Sequence, residues 1–294
     1  MASMRDIKRR KDSIQSTGQI TKAMKLVATV KLQKAKSRAE ESKPYFNYMY
    51  DTVTSMLEKS GNISHPYLQA GESTKKGFIV ITSNRGLAGG YNSNLVKMIT
   101  KGDFKKEDCV IYAVGRKGRE TLERLGYEIK ADYSEVINEP LYKDAQEIGR
   151  AVLDAFTNNE LGEIYLVYTV FKNTVSQIPT CIKLLPISKD DLEKDNESNG
   201  SDKKSMDDLT LMNYEPEAEE ALNTIIPKYI NSLIYGALVE SVASENGARM
   251  QAMDSATNNA EDMISDLSLK YNRARQGAIT QELTEIIAGA SAIE

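Results

Sequence analysis

The segment best suited to chemistry is a glycine-rich turn at residues 81–92, which reads ITSNRGLAGGYN. It follows a predicted strand and precedes a predicted helix, where backbone N–H groups can cradle a phosphate. However, Gly86, Gly89 and Gly90 give G-x-x-G-G and not the G-x-G-x-x-G of dinucleotide sites, and no lysine stands where a P-loop needs one. We therefore favour a tight strand-to-helix turn whose glycines permit positive φ and close packing, with phosphate binding as the alternative.

Residues for other kinds of catalysis are scarce. The chain has one histidine, His65, and two cysteines, Cys109 and Cys181, which lie in apolar, strand-like runs and are expected to pack in the core. Glu282 and Glu285 share a helix face, but charged pairs on an exposed helix are usually just solvated. We predict no catalytic residue, no metal site and no cofactor.

Charge is distributed unevenly along the chain. Residues 1–40 hold 11 Lys/Arg against 3 Asp/Glu, whereas residues 188–220 hold 4 Lys against 12 Asp/Glu. The basic end would suit nucleic acid, yet no aromatic residue precedes Tyr45 and the whole chain carries a net charge of −4. A nucleic-acid-binding coiled coil through residues 5–38 stays open as an alternative. The acidic stretch 188–216 predicts a solvated loop or insert.

Two long helices are expected at the ends of the chain. All seven prolines fall between Pro44 and Pro227, so both ends lack the residue that most often interrupts a helix. The C-terminal helix is predicted from about residue 220 to the end, roughly 70 residues and about 100 Å, and the N-terminal helix over about 40–55 residues. An apolar stripe at helical spacing in the N-terminal helix comprises Met4, Ile7, Ile14, Ile20, Met24, Val27 and Ala28.

A similar stripe runs from Ile230 to Ala274, and together the two stripes predict an antiparallel coiled coil. Because the helices differ in length, part of the longer one must overhang. If the overhang is the C-terminal tip, its apolar end at residues 286–293, IIAGASAI, has no partner in its own chain.

The middle of the chain predicts an α/β domain. Strands are expected at residues 77–82, 109–114, 163–171 and 177–186, and helices at 92–100, 116–126 and 143–158. Alternating strands and helices favour a Rossmann-like, mainly parallel sheet, with the last two strands as a hairpin at its edge. The predicted parts are an N-terminal coiled-coil helix (1–58), the α/β domain (75–187), the acidic insert (188–216) and the C-terminal helix with its tip (217–294).

No membrane span or targeting segment is expected. The chain has no run of about 18 apolar residues, and its first residues lack the apolar core of a secretory signal.

Three blocks of the sequence resemble the gamma-subunit family of F-type ATP synthases. They read ITKAMKLVATVKLQKAK at 20–36, TSNRGLAGGYN at 82–92 and YNRARQGAITQELTEIIAGASA at 271–292. The blocks occur in the family's order, and the resemblance spans nearly the whole chain. In the tail, the residues that match the family signature are Ile279, Thr280, Glu282, Glu285, Gly289 and Ala290.

The middle block departs from the family pattern T-S-D-R-G-L-C-G-G. Asn84 replaces the acid and Ala88 replaces the cysteine, so we assign no charge-based or thiol role to this turn. The acidic stretch lies roughly where photosynthetic members carry a redox-regulatory segment. It contains no cysteine, and we therefore expect no thiol regulation.

The resemblance implies a non-catalytic rotor shaft of the bacterial type. The terminal helices would turn inside a ring of alternating alpha and beta subunits whose catalytic sites belong to beta, and would couple a proton gradient to ATP synthesis or the reverse. The α/β domain would grip the epsilon subunit and the membrane c-ring. The protein would be peripheral at the cytoplasmic face of the plasma membrane, contacting it only through the c-ring, and would bind no nucleic acid.

The same resemblance implies two sets of working residues. The rotor–stator coupling contacts would be Met24, Lys25, Arg249, Arg275, Gln276, Thr280 and Glu282. The shaft-tip bearing, enclosed in an apolar sleeve of neighbouring subunits, would be Ile286, Ile287, Ala288, Ala290 and Ile293. The alternative reading is a nucleotide-binding α/β enzyme with a coiled-coil arm.

Overall fold

The computed structural model describes residues 4–59, 65–187 and 218–291. The acidic insert predicted at 188–216 lies outside the described residues. Within these ranges, short 3-10 helices occur at Pro66–Leu68, Lys106–Asp108 and Val136–Asn138. The other regular elements are, in chain order, α1 (Met4–Lys59), β1 (Lys76–Ile81), α2 (Tyr91–Thr100), β2 (Cys109–Val114), α3 (Arg116–Arg124), β3 (Glu128–Asp132), α4 (Tyr142–Thr157), β4 (Glu163–Phe171), β5 (Gln177–Leu185) and α5 (Ala218–Ser291).

The strands form one five-stranded sheet in the order β3-β2-β1-β4-β5. The first four strands run parallel to one another, and β5 pairs antiparallel to β4. The predicted α/β class and the edge hairpin are therefore confirmed. β3 was not predicted, because its sequence EIKAD alternates half-buried and exposed residues and has no apolar run. Such short, charged strands are common at the edge of a sheet.

Side chains of the central strands alternate between two cores, as the strand period requires. Ile79, Ile81 and Val110 face the core that α1, α4 and α5 complete, whereas Phe78 and Ile111 face the core that α2 and α3 complete. Nearly every side chain of β1 and β2 is buried, as expected of parallel strands covered on both faces.

The chain divides into two compact units. The described residues of Met1–Thr29 and Arg249–Glu294 form the helical unit, and those of Val30–Ala248 form the sheet unit. Both long helices extend past a proline, Pro44 in α1 and Pro227 in α5.

In the helical unit, α1 and α5 pack together along a seam with alternating four- and three-residue spacing. Its least exposed positions on α1 are Ile7, Lys11, Ile14, Gly18, Thr21, Lys25 and Ala28, and on α5 they are Met253, Thr257, Ala260, Ile264, Leu267, Tyr271, Ala274 and Ala278. A sustained average spacing of 3.5 residues is the signature of a coiled coil, which confirms the predicted pairing of the terminal helices.

The predicted composition of the α1 stripe was partly wrong. Ile20 and Val27 are each 58% exposed and lie outside the seam. Gly18 occupies the seam instead, because a Cβ at this position would stand 3.3 Å from the Cβ of Ala260 and a larger residue would hold the helices apart.

A charged cluster ties three strands together at the start of β4. The Glu163 carboxylate accepts from Lys76 Nζ at 2.7 Å, Lys183 Nζ at 2.9 Å and the Tyr165 hydroxyl at 3.0 Å. Burial raises the pKa of this carboxyl, but the hydrogen bonds from these three side chains outweigh burial and lower the pKa to about 2.

This cluster predicts an acid-sensitive contribution to stability. A carboxyl whose pKa is lower in the folded chain stabilises the fold above its ordinary pKa of 4.5, and the contribution disappears as the pH falls towards about 2. We expect Glu163→Gln to lower the free energy of unfolding by about 2 kcal/mol at neutral pH and by almost nothing at the acid end of that window. Urea denaturation of both proteins across the window measures the difference. Glu128→Gln, which removes a more exposed pair with Lys75, is the matched control and should change little at any pH; a pH-independent loss in Glu163→Gln would contradict the prediction.

Both cysteines are free thiols. Cys109 is buried in the core between α2, α3 and the sheet, and Cys181 is half-buried on β5. Burial raises the pKa of the Cys181 thiol to about 11, and burial together with Asp108 raises that of Cys109. Thiols with raised pKa values are poor nucleophiles at neutral pH, so a packing role is favoured over a catalytic role for both cysteines.

Candidate functional site

The glycine-rich turn is held by its own polar side chains. Asn92 Oδ1 accepts from the Ser83 N–H at 2.9 Å, and Asn84 Oδ1 accepts from the Arg116 N–H at 2.9 Å. Asn84 Nδ2 also donates to the Ser134 carbonyl at 2.7 Å, so this amide joins the loops that follow β1, β2 and β3. Leu87 and Gly89 have positive φ, and the chain therefore reverses tightly into α2. Asn84, which replaces the acid of the family pattern, therefore holds these loops together.

Helix α5 occupies the place where related sheets bind nucleotides. In an open α/β sheet, ligands bind beyond the carboxyl ends of the strands where the strand order reverses, here between β1 and β4. The Tyr91 hydroxyl donates to the Ser241 carbonyl of α5 at 3.3 Å, and the Ser244 hydroxyl donates to the Thr169 carbonyl of β4 at 2.9 Å. A nucleotide in this crevice would have to displace α5, so the geometry argues against the nucleotide-binding enzyme.

Three contacts fix the register of the coiled coil in the helical unit. Gly18 faces Ala260, the hydroxyls of Thr21 and Thr257 lie 2.8 Å apart, and Lys25 Nζ lies 2.5 Å from Asp254 Oδ1. Because the helices are antiparallel, each residue closer to the start of α1 lies level with a residue closer to the end of α5. By continuation of this register, Met4 lies level with residue 274.

The end of α5 therefore extends beyond α1. Every residue from 279 to 290 is exposed, including the apolar side chains Ile279, Leu283, Ile286 and Ile287. Apolar residues that follow a helical rhythm but remain exposed indicate a surface that another molecule covers. The overhang left undecided by the sequence is the C-terminal one.

The predicted coupling residues all belong to the helical unit, in two settings. Lys25 is a half-buried seam position and Met24 and Arg249 are also half-buried, whereas Arg275, Gln276, Thr280 and Glu282 are exposed along the overhang. Of the predicted bearing residues, Ile286, Ile287, Ala288 and Ala290 are exposed, and Ile293 lies outside the described residues.

The ion pair between Lys25 and Asp254 places a partly exposed acid beside a predicted coupling residue. Both side chains are about half exposed, at 40% and 48%. An acidic loop that approached Lys25 would have to compete with Asp254 for its ammonium group. The attraction between Lys25 and such a loop would therefore depend more strongly on distance and angle than the attraction of an isolated cation. Sequence reasoning missed Asp254, because its role depends on the register of the two helices.

Sequence reasoning also missed an outer apolar patch on α1, formed by Ile20, Leu26 and Val27. Their side chains are 58%, 63% and 58% exposed. The signal was the presence of more apolar positions than a single coiled-coil seam can bury, since two seam positions per heptad suffice.

Two further site classes can be judged over the described ranges alone. Among residues 4–59, 65–187 and 218–291, no group of three or more His, Cys, Asp or Glu is arranged to hold a metal ion. The helices in these ranges include none that is long and apolar enough to cross a membrane.

Comparison with known proteins gives one consistent result. A protein-family model described as ATP synthase matches residues 3–293. The ATP synthase gamma chain of Lachnoclostridium phytofermentans is 74% identical over 293 residues, covering 100% of both chains. The sodium ion specific ATP synthase gamma chain of Acetobacterium woodii is 43% identical over 298 residues, covering 99% of each.

Solved structures give the same fold. A chain of the central stalk and c-ring of the Tetrahymena thermophila mitochondrial ATP synthase is 26% identical, with a TM-score of 0.57, over 81% of this chain and 99% of that one. A chain of the Euglena gracilis mitochondrial enzyme is 18% identical with a TM-score of 0.69, over 99% of this chain and 94% of that one, and shows likeness of fold alone.

Proposed function

The chain belongs to the ATP synthase gamma-chain family and is a non-catalytic central-stalk rotor subunit of an F-type ATP synthase, and from this premise we propose how its helical unit transmits rotation. The exposed end of α5 is the observation on which the proposal depends. This end of α5 would turn inside the ring of alpha and beta subunits. There it would bind the different conformations of each beta subunit with different affinities. Only such a difference in affinity can drive a conformational change at a catalytic site.

Two parts of the helical unit would act differently. At the tip, Ile286, Ile287, Ala288, Ala290 and Ile293 would form a bearing, because apolar contacts are not directional and rotation need not break strong bonds. The coupling residues would supply the angle-dependent contacts. Those residues are Met24, Lys25, Arg249, Arg275, Gln276, Thr280 and Glu282. The outer apolar patch adds three exposed side chains, Ile20, Leu26 and Val27.

The remaining partners are inferred from the family. We propose that the sheet unit contacts the epsilon subunit and the membrane c-ring, and that a proton gradient drives the c-ring. The protein would then be peripheral at the cytoplasmic face of the bacterial plasma membrane and would contact the membrane only through the c-ring.

Purification from membranes tests this assignment. An affinity tag on the chain should recover the alpha, beta and epsilon subunits in fixed proportion with ATPase activity, and detergent extraction should recover the c-ring as well. Recovery of the chain alone, or with a partner set that lacks alpha and beta, would overturn the proposal.

A charge added at Met24 should impair coupling without preventing assembly. Met24 is half-buried beside Lys25. The family resemblance implies that acidic loops of beta face these basic side chains, and a further cation at Met24 would strengthen that attraction at one angle. Since about 1.4 kcal/mol of over-stabilisation slows a step roughly tenfold, we expect Met24→Lys to lower the ATP synthesis rate by about that factor. The measurement is ATP synthesis by reconstituted vesicles under an imposed proton gradient.

Met263→Lys is the matched control for this charge. Met263 is 51% exposed on α5 in the same unit and is not among the coupling residues. It should leave the synthesis rate within about twofold of the parent. Equal rates in the Met24→Lys protein and the parent would show that Met24 has no part in coupling.

A further inference from the structure

The sheet unit contains a half-open cavity of about 200 Å³ between α1, the β4–β5 hairpin and α5. Its walls are mainly apolar, and the side chains that shape it are Phe46, Tyr168, Ile182, Leu233 and Ala237. Small-molecule sites span roughly 300–1,000 Å³, so this cavity suits a compact fragment and not a nucleotide. None of its lining residues belongs to the helical unit that carries the coupling residues.

Two carboxylates line this cavity, and the less exposed of them belongs to Glu240. Glu240 of α5 lines the cavity and makes no ion pair or hydrogen bond with the described residues. Burial raises the pKa of its carboxyl to about 7, although Lys43 acts in the opposite direction. The other titratable groups that line the cavity are Glu40 and Lys43 of α1 and Tyr168 of β4. A half-buried carboxylate with no partner is costly, because an apolar environment stabilises the ion less than water does.

The cost would disappear if a cation occupied the cavity. An ammonium group donates up to three hydrogen bonds and forms short, charge-assisted bonds with a carboxylate. The aromatic rings of Phe46 and Tyr168 and the aliphatic side chains around them would cover an apolar stem. An anion would be repelled by Glu240, and a neutral molecule would leave the carboxylate unpaired.

We propose that this cavity binds a primary ammonium group carried on a short apolar chain, with Glu240 as its counter-ion. The site is separate from the rotor–stator contacts and does not depend on the function proposed above. Its specificity has two sources, since the walls select for an apolar stem and the carboxylate selects for the positive head.

A matched pair of probes separates these two sources. We would titrate the full-length chain with n-hexylamine and with n-hexanol, which differ in the charged head, and follow binding by saturation-transfer NMR and calorimetry. In mildly alkaline buffer, where Glu240 is ionised and the amine is protonated, we expect the amine to bind about tenfold more tightly. The preference should fall as the pH drops through the pKa of Glu240, because protonation removes the counter-ion.

Three variants decide which residues are responsible. Glu240→Gln keeps the shape and should reduce the preference for amine over alcohol to about one. Glu261→Gln, an exposed carboxylate on the same helix, should leave it unchanged. Gly236→Leu should weaken both probes, because a Cβ at Gly236 meets no atom within 4 Å and a larger side chain there would fill the cavity. Equal binding of the two probes to the parent, or a preference that survives Glu240→Gln, would overturn the proposal.

The same ammonium could come from a free amine or from a lysine of a partner subunit. Repeating the titration with the purified assembly distinguishes the two sources. If the assembly binds n-hexylamine with the same dependence on Glu240, the site is open to a free amine. If the assembly excludes a probe that the isolated chain binds through Glu240, a partner's side chain occupies the site in the assembly.

Discussion

Replacement of Gly115 by alanine should lower the free energy of unfolding of the chain by more than about 3 kcal/mol, a change that few single substitutions reach. Gly115 follows β2 with φ +109°, a conformation that residues with a Cβ rarely adopt. A Cβ there would lie 2.1 Å from the Thr82 carbonyl oxygen, well inside the contact distance. The strain and the clash therefore add.

The surrounding hydrogen bonds prevent Thr82 from moving aside. Its N–H donates to the Val114 carbonyl at 2.7 Å, and its hydroxyl donates to the Gly115 carbonyl at 3.0 Å and accepts from the Gly118 N–H at 2.9 Å. Relief of the clash would break this network, which joins the ends of β1 and β2 to the start of α3. Urea denaturation followed by circular dichroism gives the free energy directly.

Gly86→Ala is the control within the glycine-rich turn. Gly86 does not have positive φ, and a Cβ built on it meets no atom within 4 Å. Its replacement should change the free energy of unfolding by less than about 0.5 kcal/mol. If Gly115→Ala were as stable as Gly86→Ala, the backbone at the end of β2 would have to differ from the one described.

The sheet could be predicted closely where burial alone determines the sequence pattern. β2 and β4 begin and end at the predicted residues, β1 begins and ends one residue earlier than predicted, and β5 ends one residue earlier. Strands covered on both faces leave continuous apolar runs that few other structures produce. β3 lies at the edge, where charged residues are favoured, and its sequence therefore gave no comparable signal.

The coiled coil could be predicted in kind but not in composition. Hydrophobicity alone favours Ile20 and Val27 over Gly18 and Thr21, yet the structure places the smaller pair, both half-buried, in the seam. Small residues allow the helix axes to approach, and the two threonine hydroxyls pair across the seam. Which face is inside depends on the partner helix, so neither helix alone contains the answer.

The sequence likewise predicted only part of the candidate site. Unequal helix lengths required an overhang, and the resemblance to a known family indicated which residues to examine. The position at which α5 leaves α1 required the register that Thr21, Thr257 and Asp254 define. The pairing of Lys25 could not be foreseen for the same reason.

A charge at the tip of α5 should have the second large effect, and only in the assembly. Ile286 is 67% exposed in the chain, so Ile286→Glu should leave the melting temperature of the isolated chain nearly unchanged. In the proposed bearing the same carboxylate would be enclosed by apolar neighbours, where an unpaired charge costs several kcal/mol. We expect assembled, active complex to fall more than about tenfold at limiting chain concentration. The measurement is the fraction of chain that co-purifies with alpha and beta, together with ATPase activity.

Ile286→Gln separates charge from shape at this position. Glutamine matches glutamate in size and helix propensity but carries no charge, so its loss of assembly should be several times smaller. The comparison is informative because residues 279–290 are all exposed in the described part of the chain, beyond the point near residue 274 that lies level with Met4, the first described residue of α1. A tip surrounded by water in the assembly would tolerate both substitutions equally, whereas a tip enclosed by apolar side chains must reject the charged one. Equal, near-parental assembly of the two variants would therefore remove the bearing from the proposed mechanism and leave torque to the contacts lower on the shaft.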